Sequence, residues 1–426
     1  MGHTVIVVGG GFGGAAVARA LGRRAEVTLI SDHNYLLFSP MLAEVAAADL
    51  DPRHILAPLR QICPRARVVI GTVIDVDGQR RTVTVRSPVD GSTTKWAGDA
   101  VVLAAGSEPA TFGVPGVADH ALAFKTIQDA LAIRTRLLRL LEAATVRPDP
   151  ALTSVAIVGA GYSGSELAAA LADFLERAFR RYYWSAPTPA VTLIDAVDRV
   201  VPTLPPKASA SAVRALERRG VMTRLGSPVR EIRAGEVLLG DGSTVRAATI
   251  VWSAGTTGAP IPGIPGAEAG HGGRLPVDDQ LRLAEGVWAL GDVARVPDGR
   301  GGVCPPTAQH AIRQGAYLGR HLPAMLDGRP APRFAYRTVG ELVALGHRNA
   351  VGRVLGMTVT GFPAWFLWRS YYLLRLPTLS RKVRVALDWT IDLMFPPDIA
   401  DPATADPGPD LGGPPLTPPG SSDPVW

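Results

Sequence analysis

Thr4-Val-Ile-Val-Val-Gly9-Gly-Gly11-Phe-Gly-Gly14 and Val155-Ala-Ile-Val-Gly159-Ala-Gly161-Tyr-Ser-Gly164 decide the reading of this chain. They are one pattern written twice, 150 residues apart. An apolar, strand-like run leads into G-x-G-x-x-G, and an Ala-rich helix former follows (Ala15 to Leu21, Leu167 to Ala172). The first glycine permits a tight turn, the second lets a pyrophosphate approach the backbone, and the third lets the helix pack on the strand. The N–H groups and dipole at the helix start favour the anion. Two such loops, each between a strand and a helix, imply two dinucleotide sites in one chain and electron transfer between the two nucleotides.

A βαβ unit of this kind continues to a second strand that ends in an acid for the ribose hydroxyls. After the second loop, Val191-Thr-Leu-Ile-Asp195 ends in Asp195, which favours NADH over NADPH by repelling a 2′-phosphate. After the first loop, Glu26-Val-Thr-Leu-Ile30 is followed by Ser31, and the acid is Asp32, one position later.

Outward from the loops, Val68 to Val76 and Arg81 to Arg86 read as strands of a β-meander with a turn at Asp90-Gly91. Two strands end alike, at Ala105-Gly106 and at Ala254-Gly255, so the internal similarity extends past the glycine loops. Val287 to Asp292 reads as a short strand followed by Gly-Asp, and the helix after Pro305-Pro306 has Thr307 as its expected N-cap. The expected fold is α/β, with two Rossmann-like dinucleotide-binding domains, the second inserted in the first, and a C-terminal amphipathic membrane-associated region. The expected boundaries are 1–120 with 272–345, 121–271, 346–400 and a tail, 401–426. That tail is rich in Pro, Gly, Asp and Ser, and is expected to be disordered.

Composition narrows the function. The 426 residues, 47% of them hydrophobic, suffice for two or three cored domains. The only cysteines, Cys63 and Cys304, form no C-x-x-C pair, which argues against a redox dithiol and a cysteine metal site; no metal is expected. No secretory signal and no run of about 18 apolar residues is visible. The net charge of +6 comes without a zinc-finger or RNA-recognition motif, so nucleic acid is not an expected partner.

The doubled fingerprint resembles the two-dinucleotide-domain flavoproteins over about residues 3 to 398, and within them the type II, non-proton-pumping NADH:quinone oxidoreductases. The resemblance rests on Asn34-Tyr-Leu-Leu-Phe-Ser-Pro-Met-Leu42 with Glu44-Val-Ala, on Phe112-Gly113, Pro115-Gly116 and Lys125 with Asp129-Ala130, and on Gly291-Asp292, Ala308-Gln309, Ala364-Trp365, Trp368 and Asp388-Trp389. It implies tightly but non-covalently bound FAD, contacted by Gly9, Gly11, Phe12, Gly13, Gly14, Asp32, Val73, Ala105, Gly106, Asp292, Ala308 and Gln309. It implies NADH as co-substrate on Gly159, Gly161, Gly164, Asp195 and Gly255. Glu166, placed in the first turn of the second helix, matches a family glutamate beside the nicotinamide and is expected to be catalytic, with Gln309; its other use is to complement the helix dipole. The acceptor is expected to be a quinone of the menaquinone or ubiquinone type, on Gln309, Arg313 and Gln314. The family pattern A-Q-x-x-x-Q places its second glutamine at 313, where this chain has Arg313 and then Gln314. Sulfide chemistry on the same architecture needs placed cysteines, which Cys63 and Cys304 do not supply. The alternatives are a soluble acceptor such as a ferredoxin-type protein, or a non-catalytic redox sensor.

Phe362 to Leu387 combines aromatic residues with Arg369, Arg375, Arg381, Lys382 and Arg384, and contains no acid. Trp365, Trp368 and Tyr372 fall on one helical face. Read as a monotopic anchor, that face meets anionic membrane lipids on the cytoplasmic side of the cell membrane. Read without lipid, the stretch is a subdomain packed on the core of a soluble cytoplasmic protein, or a homodimer interface.

Overall fold

The computed structural model describes residues 2–264, 271–336, 338 and 340–401. The strand His3–Val8 pairs in parallel with Ala25–Ser31 on one side and Ala100–Leu103 on the other. Arg67–Ile70 and Val287–Ala289 extend the sheet, and Arg282–Ala284 closes one edge antiparallel. The second sheet centres on Ser154–Val158, flanked in parallel by Ala190–Ile194 and Thr249–Trp252, with Leu122–Ala123 and Val221–Arg224 outside them. The central strands are buried along most of their length, as parallel strands covered on both faces must be, so they read as unbroken apolar runs.

The two sheets repeat one register. Val8 is level with Ile30 and Leu103, and Val158 with Ile194 and Trp252. The Gly9 amide donates to the Ile30 carbonyl as the Gly159 amide does to that of Ile194. The first sheet draws on residues 3–103 and 282–289 and the second on 122–252, so the second is inserted in the sequence of the first. An antiparallel ribbon of Ser107–Pro109 with Thr256–Gly258 joins the two crossings between them.

The helix Phe12–Leu21 packs on Ala308–Leu326 at very close range. A Cβ on Gly315 would lie 2.5 Å from the Gly13 carbonyl oxygen, and one on Gly319 would lie 2.2 Å from the Ala20 Cβ. The small stripe Gly315-x-x-x-Gly319 is what admits the first fingerprint helix.

Several expectations are corrected. The run 68–76 is not one strand. It breaks at Gly71, where a Cβ would meet the Arg86 carbonyl oxygen at 2.6 Å. Arg67–Ile70 stays in the parallel sheet, while Thr72–Asp77, with Val73, belongs to the meander with Thr82–Arg86 and Thr93–Ala97. Thr307 is the N-cap by position, but its hydroxyl bonds His310 Nδ1 at 2.7 Å rather than a backbone amide. Asp401, assigned to the tail, pairs with Arg139 at 3.2 Å; the rest of the tail, 402–426, lies outside the described residues.

The C-terminal part is a three-stranded antiparallel sheet (Gly340–Ala344, Ala350–Val354, Met357–Thr360) and two helices, Gly361–Arg375 and Leu379–Met394. Trp365, Trp368 and Tyr372 do share a face, but it is the inner one. Trp368 is fully buried, with Trp365 and Tyr372 packed against the same core. The outward apolar residues are Phe362, Phe366 and Leu374, then Leu379, Val383, Leu387 and Ile391 at a spacing of four, with Phe395 beyond. No helix among the described residues is long and apolar enough to cross a membrane.

Candidate active site

Both glycine loops have the geometry their sequence implies. Gly9 and Gly159 hold φ of 107° and 110°, in the left-handed region. Gly14 and Gly164 each leave 1.9 Å between a hypothetical Cβ and the carbonyl oxygen of that first glycine. Gly11 and Gly161 face open space, and neither helix start is capped by a side chain. Each loop therefore presents unclaimed N–H groups and room for a pyrophosphate.

The second strands differ as their sequences do. Asp195 Oδ2 accepts the Ala160 amide at 2.5 Å and Oδ1 accepts that of Val197 at 2.9 Å, so the acid is aimed at its own glycine loop. Ser31 holds the equivalent register position, and a Cβ on Gly10 would lie 2.6 Å from its Oγ. Asp32 is exposed at the end of the strand.

At the mouth of the first fold, Lys125 Nζ donates to Ser107 Oγ at 2.7 Å, and that hydroxyl donates to Asp292 Oδ2 at 3.0 Å. Asp292 is thereby placed beside Gly106, across the strand ends from the first loop. Of the three proposed acceptor residues, two meet at Tyr336 and the third does not join them. Gln309 accepts from the Tyr336 hydroxyl at 3.2 Å, and Arg313 lies exposed over the Tyr336 ring. Gln314 is buried on the other side of the helix, where Oε1 accepts the Gly291 amide at 2.7 Å. The glutamine that follows the family position thus supports the Gly291-Asp292 turn.

Glu166 lies in the second turn of its helix, not the first, so it does not complement the dipole. It is half-buried, accepts the Ala344 amide at 3.0 Å, and lines a cavity with Pro40, Glu44, Asp49, His347, Trp365 and Arg369. Burial pushes the Glu166 carboxyl up to about 8 and that of Glu44 up to about 7. Glu44 accepts from the Trp389 indole at 3.2 Å, and Arg369 is sandwiched between Trp365 and Trp389, 4.4 and 4.3 Å from the rings. Arg369, expected at a lipid headgroup, is instead an interior cation.

The cavity wall continues into an ion network. Arg177 bridges Asp49 at 2.6 Å and Asp392 at 2.8 Å. His347 meets Asp392 at 2.7 Å and Asp173 at 3.3 Å, and these two carboxylates raise it to about 9. Asp49, His347 and Asp392 are close enough to surround one cation. Arg177 and a protonated His347 already supply that positive charge, and both ring nitrogens of His347 face carboxylates, which leaves no lone pair for a metal. Sequence reasoning quoted Glu44 only for the family resemblance and gave no site role to it, to Asp49 or to Asp392. A usable signal existed for the first, an acid inside the apolar run Met41 to Ala48.

Residues 3–315 match the pyridine nucleotide-disulphide oxidoreductase family. The Mycobacterium tuberculosis type II NADH:quinone oxidoreductase NdhA is 32% identical over 92% of this chain and 87% of its own length. The chain belongs to the type II NADH:quinone oxidoreductase family. Another relative, the demethylphylloquinone reductase NdbB of Synechocystis, is 30% identical over 90% of this chain and 95% of its own. The Plasmodium falciparum NDH2 structure in complex with NADH shares the fold, with a TM-score of 0.86 over 94% of this chain and 100% of that one, at 18% identity. Against the disulphide branch of the wider family, both cysteines of this type II enzyme are buried thiols, and burial pushes Cys63 up to about 11.

Proposed function

We propose that the protein oxidises NADH bound at the second glycine loop and reduces a quinone of the menaquinone or ubiquinone type, with FAD held non-covalently in the first fold. The observation that carries this reading is the pair of open glycine loops in one register, with a cavity that Glu166 lines from the helix following the second loop. The first fold fits FAD. Gly11 and Gly106 leave open space at adjacent strand ends, and Asp292, held through Ser107, offers an acceptor for ribityl or ribose hydroxyls. Bound there, FAD supplies the two-electron chemistry that the side chains lack.

The residues of the chain supply binding, charge and protons. Asp195 is placed to receive ribose hydroxyls once it releases the Ala160 amide. A quinone needs two protons to become a quinol. Near neutral pH Glu166 keeps its proton and Glu44 is partly protonated, because desolvation disfavours the carboxylates, so the cavity holds proton donors where an aqueous acid would be ionised. Arg369 offsets negative charge at Glu44 after a proton leaves.

The outward stripe Leu379, Val383, Leu387 and Ile391, with Phe362, Phe366 and Leu374 and the exposed Arg375 and Arg384, fits an anionic bilayer surface from which an apolar quinone enters. On this reading the protein works as a peripheral enzyme at the cytoplasmic face of the membrane.

Anaerobic addition of NADH to the purified yellow protein is expected to bleach the flavin, and a menaquinone analogue to restore the colour within the turnover time. Bleaching with reoxidation only by a soluble ferredoxin-type acceptor would reject the quinone. No bleaching would reject the whole reading.

A further inference from the structure

The two glycine folds differ at one point that their shared register makes comparable. Gly106 and Gly255 each lie two residues past the strand residue that hydrogen-bonds the central strand, Ala104 to Val8 and Ser253 to Val158. Both hold a left-handed φ, 79° and 76°. The space where a Cβ would project from Gly106 is empty to 4 Å, whereas at Gly255 it is filled by the Phe112 ring, with Cζ 2.7 Å and Cε2 3.0 Å from the hypothetical Cβ. Gly255 adjoins Ser253 and Ala254, against which Gly159 of the second loop packs. The ring therefore stands at the strand end beside the second glycine loop, at the place that is open in the first fold.

Phe112 is an unexpected residue for its backbone. It takes φ of 52°, followed by Gly113 at 70°, in a turn closed by the Val114 amide on the Thr111 carbonyl at 3.0 Å. Two successive left-handed positions suit Asn, Asp or Gly, and a bulky side chain there is uncommon. Core packing does not account for the choice, because the residue is 72% exposed. The turn is nonetheless pinned. The Ala110 amide donates to the Gly255 carbonyl, and its carbonyl accepts the Trp252 indole N–H at 2.8 Å. The base is fixed to the end of the second fold, while the ring lies over the site without being locked into a core.

We infer that Phe112 is the gate of the NADH site, its ring covering Gly255 when the site is empty and swinging into solvent when NADH enters. The inference rests on the proposal that the second loop binds NADH. It also explains the asymmetry, since a resident cofactor needs no gate and a co-substrate that must leave after each turnover can use one. A closed gate lowers apparent affinity by the fraction of molecules that are open. The ring makes no contact that the reaction itself requires, so the effect falls on NADH concentration dependence rather than on the limiting rate.

The test is anaerobic stopped-flow reduction of the flavin in the FAD-loaded protein, as a function of NADH, for the parent, Phe112→Ala and Phe112→Gly. Glycine accepts the left-handed turn, so that variant folds even if alanine strains it. Both variants are expected to lower the apparent Kd for NADH about three- to tenfold, as removal of a mostly closed gate requires. Phe112→Leu, which restores an apolar cover, is expected to return the dependence toward that of the parent. An apparent Kd that is unchanged or raised in both ring-less variants overturns the gate while NADH still bleaches the parent's flavin. Failure of the parent itself to bleach overturns the NADH site on which the gate depends.

Discussion

Gln314 Oε1 lies 2.7 Å from the amide nitrogen of Gly291, so one buried side chain of the Ala308–Leu326 helix holds the turn that carries Asp292. Gln314→Leu leaves that partly buried N–H without its acceptor, at a cost of about 1–3 kcal/mol. The expected result is a lower melting temperature and easier release of flavin, followed by its fluorescence, with the KM for quinone unchanged. A raised quinone KM at normal flavin retention would return Gln314 to the acceptor pocket.

Glu166 is expected to give the acceptor reaction its alkaline limit. Its carboxyl is raised by burial from 4.5 to about 8, so it carries a proton below about pH 8 and loses it above. Quinone reduction is expected to fall as pH rises through 8, and Glu166→Gln is expected to slow reoxidation by quinone and to remove that limb of the profile. Stability follows the same sign. Between pH 4.5 and 8 the folded protein holds a proton that the unfolded chain has lost, so this group's contribution declines as pH rises across that window.

His347 ties the Ala344–Ala350 connection to Asp173 and Asp392, and those carboxylates raise it from 6.5 to about 9. A raised cationic group stabilises fully below its unfolded value, and the benefit disappears as pH rises through its folded value. His347→Gln is expected to cost about 2 kcal/mol at pH 6 and much less at pH 10, measured by denaturant unfolding at both. An equal loss at the two pH values would show that the imidazolium charge is not what holds the joint.

The outward stripe of the last helix is expected to govern membrane association. Leu387→Asp with Ile391→Asp replaces two exposed apolar residues. The double variant is expected to stay in the supernatant with anionic liposomes at low salt, where the parent sediments, while NADH still bleaches its flavin. Sedimentation of both proteins alike would reject this face as the lipid contact.

Much of the site was legible because it is local. Gly9 to Gly14 and Gly159 to Gly164 specify a turn, a close approach and a helix start within six residues each, and Asp195 follows from the strand that must come next. Gln309, Arg313 and Gln314 were harder. They adjoin in sequence, but a helix rotates about 100° per residue, and that rotation sends Gln314 inward to Gly291 while Arg313 stays in solvent. Trp365, Trp368 and Tyr372 failed differently. Their spacing identified one face correctly, but an aromatic face satisfies a protein core as well as a bilayer, and periodicity alone cannot choose between them. The four-residue spacing from Leu379 to Ile391 was equally present in the sequence, and only the structure places it on the outer face.

The sequence by itself determined the two glycine-loop units and the acid that distinguishes the second from the first, because each rests on contacts within a single βαβ unit, and the strand-like run Val287 to Ala289 marked the return to the first fold. Tertiary structure alone decided the rest. Glu44, Glu166, His347, Arg369 and Asp392 come from five separate segments and acquire their chemistry only by being brought together, since removal from water keeps the two glutamates protonated, while Asp173 and Asp392 keep the histidine charged against the same effect. The same holds for Phe112, whose place over Gly255 depends on how the ribbon between the folds closes.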